Sequence, residues 1–408
     1  MKMSLIEFSV ENYKLFKNKV TFSTLGRKGK HTFDNKGENL YKTSLIFGPN
    51  ASGKTTLLES IRLIKNGIIK SADTQVGSKL PYHDFSFSDR ENIPSFFEII
   101  FSLDEDILKY NFSLSKDTVL TENLFKILVS GKEDPYFIRK GSHIDLFGPF
   151  SESMDIFRIK TRDDVLFLSA SSQWKNNIAM KLVEAFRNLN SIQGTQTDGY
   201  RSFTRKKFKE DLDFRKKIIG FLKKADFNIV DGDVETVDIS DDLVKQTAEV
   251  FNLEDIPKKA DIISFLHEKF DSKGKAIGAS KLKLEEESKG TQKFFDLLGP
   301  IIDTLEKGKV LFIDEFDSSL HPLLTKFILD LFENENPNNA QLIATTHDTS
   351  LISRKDYLDR AQIWFTEKDK YGVGKLFSLA EFNNLRNDTA EISQKYLEGR
   401  FGAVPFIE

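Results

Sequence analysis

Cysteine is absent from all 408 residues, which excludes disulfides, thiolate zinc sites and cysteine nucleophiles. No apolar run approaches the ~20 residues that span a bilayer, and the opening Met1-Lys2-Met3-Ser4-Leu5-Ile6-Glu7 lacks the apolar core of a signal peptide. The expectation is a cytoplasmic chain without a membrane partner. An excess of one charge is missing too. With 59 basic and 62 acidic residues the net charge is −3, so the chain does not coat nucleic acid everywhere, although a local basic patch stays open. Neither an internal repeat nor a sustained heptad is visible. What is present is 39% hydrophobic and 30% charged residues, the composition of a globular protein, and a length that suggests two or three lobes. Phenylalanine is abundant at 37, mostly scattered singly as core filling.

The most informative stretch is Ser44-Leu45-Ile46-Phe47-Gly48-Pro49-Asn50-Ala51-Ser52-Gly53-Lys54-Thr55-Thr56. A short apolar run ends in Gly48, and Leu57, Leu58, Ile61 and Ile64 then recur at helical spacing. This is strand, glycine-rich loop and helix with the spacing G-x-x-x-x-G-K-T. Gly48 and Gly53 let backbone N–H groups turn inward around phosphate oxygens, at the positive end of the new helix. Lys54 is placed to reach the β- and γ-phosphates, and the Thr55 hydroxyl to ligate Mg²⁺.

Three segments follow from the patterning. Residues 1–175 read as an N-terminal lobe with the glycine-rich loop and much antiparallel sheet. Within it, residues 4–24 read as two strands around a turn, 26–43 as an exposed loop, and Val165-Leu166-Phe167-Leu168 as a buried strand. Residues 176–284 are rich in Lys, Asp and Glu with apolar residues three and four apart, which predicts a helical insertion. Gly220, Gly232, Pro257 and Gly274 interrupt it, so it is a lobe and not a long coiled-coil arm; even a hairpin of its two halves reaches no further than ~80 Å. Its stretch Arg201–Lys224 is strongly basic and suits nucleic-acid phosphates as well as it suits a solvated helix face. Residues 285–408 return to an α/β pattern: helix over 291–306 and 325–333 and near Leu351, strands at 310–313, 341–344 and 362–365.

Lys309-Val310-Leu311-Phe312-Ile313-Asp314-Glu315 is a buried strand that delivers two acids to the carboxyl edge of a sheet, where ligands of open α/β sheets bind. Asp314 suits a Mg²⁺ contact and Glu315 activation of the attacking water. His347 also follows a strand and can hydrogen-bond a γ-phosphate. The 260 residues between Lys54 and Asp314 exceed what a compact nucleotide domain needs, so the two halves must meet in space around the insertion. Upstream of the acidic strand, Glu287-Ser288-Lys289-Gly290-Thr291 opens a helix. The turn is either a simple helix cap or a second phosphate cradle. Two cradles on one chain are used most economically in a head-to-tail dimer, with Ser288, Gly290 and Thr291 of one copy closing over the nucleotide of another.

With these residues in place, the sequence resembles the ABC-type ATPases of the SMC/RecF class. The resemblance rests on the P-loop Gly48–Thr56, the signature Glu287–Thr291, the Walker B pair Asp314-Glu315, the D-loop-like Ser318-Ser319-Leu320-His321-Pro322 and the switch His347. Phe8-Ser9-Val10-Glu11-Asn12-Tyr13-Lys14-Leu15-Phe16 is similar to that class's first hairpin. Within the class the chain looks most like the abortive-infection ATPases of the AbiL/RloA type, relatives of the ATPase subunit of the PARIS system. Its ending Tyr396-Leu397-Glu398-Gly399-Arg400-Phe401-Gly402-Ala403-Val404-Pro405-Phe406 is similar to that group's tail. Two features depart from the group: Lys289 stands where an acid is usual, and for the Q-loop only Gln75 is nearby.

The resemblance implies an α/β fold with an α+β lobe, an ABC-ATPase head split in sequence by a helical insertion. It also implies ATP and Mg²⁺ as cofactors and an ATP-sandwich dimer or larger ring. The further partners are a separately encoded nuclease of TOPRIM or RloB type and a phage protein as trigger. The 61 residues after His347 are too few for a fused nuclease domain, which agrees with an effector acting in trans. The alternative is a RecF/SMC-like DNA-binding ATPase in repair, with DNA on Arg201–Lys224. A transporter subunit is disfavoured by the separation of the motifs.

Overall fold

The structure is a computed structural model that describes residues 2–75, 82–88, 93–151, 161–193, 198–225, 227–239, 258–352, 358–382 and 389–404. The helix expected through 240–257, with its break at Pro257, and the tail end Pro405-Phe406 lie outside the described residues. The chain forms two compact units. The first comprises Met1–Thr195, Asp303–Ser318 and Ile328–Glu408, the second Gln196–Ile302 and Ser319–Phe327. The divisions therefore fall after 195, 302, 318 and 327, where the sequence led to an expectation of breaks after 175 and 284.

The first unit holds two large sheets. β1 (Met3–Glu11) and β2 (Val20–Ser23) form the expected hairpin. The segment expected as an exposed loop instead contains a second hairpin, β3 (Thr32–Asn35) and β4 (Glu38–Tyr41). Phe33, Leu40 and Tyr41 are buried there, so three apolar residues override a polar, Gly/Lys-rich composition. After β5 (Thr43–Phe47) and α1 (Lys54–Lys70) comes an antiparallel series. It comprises β6 (Ser95–Leu103), β7 (Asp106–Leu114), β8 (Val119–Ile127), β9 (Glu133–Lys140) and β10 (His143–Leu146). These join the first hairpin in the order β10-β9-β8-β7-β6-β1-β2. Phe97, Ile99 and Phe101 on β6 and Leu108, Tyr110, Phe112 and Leu114 on β7 alternate along their strands and are buried in one cluster. That cluster includes Leu57, Leu58, Ile61, Ile64 and Ile68 of α1, so the helical periodicity after the P-loop is the stripe that meets this sheet.

Val165–Leu168 is not a strand. α2 (Phe167–Gln173) starts there, followed by α3 (Asn177–Arg187). A short apolar run does not distinguish a buried strand from a buried helix. Here the deciding partner is distant in sequence, because the fully buried Glu122 on β8 accepts from Phe167 N (Oε2) and Leu168 N (Oε1, 2.9 Å). Arg139 and the Tyr110 hydroxyl complete the satisfaction of that carboxylate. Burial pushes the Glu122 carboxyl up against the opposing pull of Arg139 and the two amides.

The second sheet carries the site. β11 (Leu189–Gln193), β15 (Val310–Asp314), β16 (Gln341–Thr345), β5 and β17 (Ile363–Lys368) run parallel, and β18 (Gly374–Ser378) closes one edge antiparallel to β17. β5, β15 and β16 are buried at every residue, the pattern of parallel strands covered on both faces.

The second unit contains α4 (Asp198–Glu210) and α5 (Leu212–Lys224), where helix was expected. Among the described residues beyond Asn228, however, the insertion forms a three-stranded antiparallel sheet of β12 (Ile229–Asp238), β13 (Lys259–Phe270) and β14 (Ala276–Lys283). Val230, Val234 and Val237 of β12 and Ile262 and Ile263 of β13 favour extended backbone, and cross-strand pairing outweighs the three- and four-residue spacing. Phe208, Phe265 and Phe295 meet edge to face at 5.3–6.1 Å in its core. α6 (Lys289–Lys307), α7 (Pro322–Asn334) and α8 (Thr389–Leu397) complete the helices used below. The helix expected near Leu351 is one short 3₁₀ turn, Thr349–Leu351.

Candidate nucleotide site

β5 lies between β16 and β17, and β15 is the next strand beyond β16. Register pairs Leu45 with Ala344 and Ile313 with Ala344. The glycine-rich loop, the acids after β15 and His347 after β16 thereby reach one edge of one sheet, and the 260-residue gap between Lys54 and Asp314 closes within the first unit.

The loop is held tightly. Gly48 has φ +154°, and a Cβ there would stand 2.4 Å from Thr366 Oγ1, 2.5 Å from Thr366 O and 2.7 Å from Ser52 Oγ. Only a residue without a side chain fits. Ser52 and Thr366 hydroxyls share a 2.6 Å hydrogen bond, which ties the loop to β17. Gly53 has φ +114° and turns the chain into α1. Lys54, 6% exposed, donates to Gly48 O at 2.7 Å and Pro49 O at 3.0 Å. Burial lowers its pKa to about 8, against the opposing pull of Asp314, Glu315 and Asp317. Asn50, Ala51 and Thr55 are exposed and Thr56 is buried.

Thr345, at the end of β16, organises the acidic pair. Its hydroxyl donates to Asp314 Oδ1 at 2.6 Å and accepts from Glu315 N at 2.8 Å, while its carbonyl accepts from Phe316 N at 2.9 Å. Glu315 adopts φ +51°, a left-handed conformation disfavoured for a residue with a side chain and found preferentially at functional sites. The turn leaves Asp314 buried and Glu315 half-buried at the sheet edge. His347 N donates to both Asp317 oxygens, at 3.1 and 3.2 Å. Burial and the Lys54 charge lower the His347 pKa, so its imidazole is neutral at pH 7. A cleft of about 470 Å³ opens beside these groups, lined by Gly48, Pro49, Asn50, Ser52, His347, Thr349, Glu367, Lys368, Tyr396, Leu397 and Val404.

Among the described residues no cluster of three or more His, Cys, Asp or Glu could hold a metal by itself. A Mg²⁺ at a triphosphate keeps waters and phosphate oxygens and takes only one or two protein ligands. The exposed Thr55 hydroxyl and the second oxygen of Asp314 are the fitting donors.

The signature residues lie in the second unit and cap α6. Ser288 Oγ accepts from Thr291 N at 3.1 Å and shares a 2.8 Å hydrogen bond with the Thr291 hydroxyl. Lys289 is exposed and Gly290 half-buried. This is the helix-cap geometry weighed above, with the Gly290 backbone accessible. Gln75 is exposed after a short 3₁₀ turn. Of the basic stretch, Arg201, Arg205, Lys207, Lys209 and Lys216 are engaged in ion pairs within the chain, and Arg215 with backbone carbonyls. Thr345, Asp317, Thr366 and the cleft wall of Glu367, Lys368 and Tyr396 had no functional role in the sequence reading. Only the placement of Thr345 and Asp317 beside named motif residues could have signalled two of them.

Fold and site together define a P-loop ATPase whose nucleotide sheet is assembled from separated parts of the chain. A family model described as "AAA domain, putative AbiEii toxin, Type IV TA system" matches residues 44–353, and the chain belongs to that family. The resemblance drawn from the motifs, to SMC/RecF-class ATPases of the abortive-infection group, agrees with it. No curated protein matches the chain. Among solved structures, the chain is similar to the SMC head domain from Thermotoga maritima at 13% identity, covering 93% of this chain and 99% of that one, with a TM-score of 0.44. It is also similar to an SmcHead bound to the C-winged helix domain of ScpA, at 15% identity, 92% and 97% coverage and a TM-score of 0.45. Among the described residues no helix is long and apolar enough to cross a membrane.

Proposed function

We propose that the chain is a Mg²⁺-dependent ATPase that assembles head to tail around ATP and regulates a separately encoded nuclease in anti-phage defence. The observation that supports this most is the meeting of Lys54, Asp314, Glu315 and His347 at one sheet edge. Loop amides and Lys54 bind the phosphates, and the neutral His347 donates a hydrogen bond to the γ-phosphate. Glu315 orients the attacking water and accepts its proton. Thr55 and Asp314 would hold Mg²⁺, which would supply charge neutralisation to the triphosphate. Most of the acceleration then comes from positioning and electrostatics. Ser288, Gly290 and Thr291 of a second copy close the site. The family description, which names a putative toxin of a toxin–antitoxin system, supports the defence role; the nuclease partner rests on the resemblance of the motifs.

Glu315→Gln tests the reading. Phosphate release should fall by about 10²–10⁴-fold, the usual contribution of a general base, while ATP still binds and the assembly accumulates by light scattering. Normal turnover by this variant, or a single-subunit mass in saturating Mg²⁺ and a non-hydrolysable nucleotide, would remove the mechanism.

A further inference from the structure

We infer that Lys368, at the end of β17, is a further phosphate-contacting cation of the nucleotide site, acting on the terminal phosphate of a bound triphosphate. The inference rests on the nucleotide reading above and adds to it a residue that lies outside the sequence motifs.

β17 is a parallel neighbour of β5, with Ile363, Trp364 and Phe365 opposite Leu45, Ile46 and Phe47. Where β5 gives way to the glycine-rich loop, β17 continues through Thr366, Glu367 and Lys368. Successive side chains of a strand alternate between its faces. Thr366 and Lys368 therefore share one face, and Phe365 and Glu367 the other. The first face meets the loop: the Thr366 and Ser52 hydroxyls lie 2.6 Å apart, and the Thr366 side chain fills the space that a Cβ on Gly48 would need. Lys368 stands two residues beyond that contact, toward the sheet edge.

The opposite face is fixed by the carboxyl-terminal segment. Phe365 stacks on Tyr396 at 5.2 Å and on Phe401 at 6.1 Å. Ala403 N donates to Glu367 Oε1 at 3.4 Å, and the Tyr396 hydroxyl donates to Ala403 O at 3.0 Å. Gly402 has φ +69°, and a Cβ there would stand 2.7 Å from the same Glu367 oxygen, so a side chain would push the segment off the strand. The tail thus holds Phe365 and Glu367, and Lys368 is left to the cleft.

That cleft is the one lined by Gly48, Pro49, Asn50, Ser52 and His347, and Lys368 is part of its wall. Lys368 is exposed, and among the described residues no carboxylate pairs with its ammonium. Lys54, by contrast, is buried and held by two loop carbonyls. A lysine ammonium is a point charge with three donors on a flexible stem, which suits a phosphate oxygen. The γ-phosphate is the phosphate assigned to His347, and Lys368 shares the cleft with that residue, which places the contact at the terminal phosphate.

Calorimetry on the full chain with Mg²⁺, comparing ATP with ADP, tests this. Lys368→Met should weaken ATP by about tenfold, the loss of one hydrogen bond to a charged group, and leave ADP unchanged. Lys368→Arg should keep ATP affinity. The urea midpoint of ligand-free Lys368→Met should equal that of the native chain, because the side chain is exposed and unpaired. A lower midpoint would overturn the assignment, since the lysine would then serve the fold. Native ATP affinity in Lys368→Met, or equal losses for ATP and ADP, also overturns it and leaves the nucleotide reading standing. A native chain that binds neither nucleotide overturns both.

Discussion

Lys54 shows how one residue carries a structural cost beside its proposed role. Its ammonium is nearly buried and held by two loop carbonyls, and burial outweighs three nearby carboxylates in setting its pKa at about 8. A depressed lysine pKa means that the charged form is complete below about 8 and is lost above it. On the proposed function, triphosphate binding needs that charge. ATP affinity of the free chain should therefore be level near pH 7 and fall above pH 8, approaching about tenfold per pH unit. Titration calorimetry between pH 6.5 and 9.5 measures this, and a flat profile would show that Lys54 stays charged throughout. Ser288 illustrates the converse: its residue type was legible, but its hydroxyl already serves the helix as a cap.

At the scale of elements, the contact between β8 and α2 is the most consequential one that local sequence does not reveal. Glu122 and Arg139 are buried, at 0% and 1% exposure, and Glu122 accepts the first amides of α2 while Arg139 donates to Val165 O and Arg162 O. Removing one member leaves the other charge buried and unpaired. Glu122→Ala should cost about 3–5 kcal/mol, read from the midpoint of urea unfolding. The double change Glu122→Leu with Arg139→Met should cost less than the sum of the single changes, because no charge is then stranded. A simple sum would show that the two act independently. The same contact explains why Val165–Leu168 reads as a strand in isolation and starts a helix in the fold.

At the scale of the whole molecule, the first unit is built from three separated lengths of chain. Within residues 1–195 the P-loop strand β5 has neither of its sheet neighbours, β16 and β17, and β11 lacks β15. The fragment 1–195 should therefore fail to fold as the native nucleotide unit. Its circular dichroism and its failure to bind ATP, each compared with the full chain, are the measurements. A fragment that binds ATP with native affinity would show that the carboxyl-terminal strands are dispensable.

By itself the sequence determined three stretches that the fold brings to one sheet edge. The loop Gly48–Thr56, the strand ending in Asp314-Glu315 and the strand before His347 each consist of contiguous residues with unmistakable patterning, and their strands, buried on both faces, read as unbroken apolar runs. Tertiary structure alone decided the β3–β4 hairpin, the sheet of β12–β14, the start of α2 and the role of Thr345. In each of these the deciding partner lies elsewhere in the chain: Leu40 beneath a polar segment, Phe208 and Phe295 against Phe265, Glu122 beneath Phe167, and Thr345 between two acids some thirty residues away. Local periodicity records which face of a segment is apolar, whereas hydrogen-bond satisfaction of a buried backbone depends on what the rest of the chain brings to it.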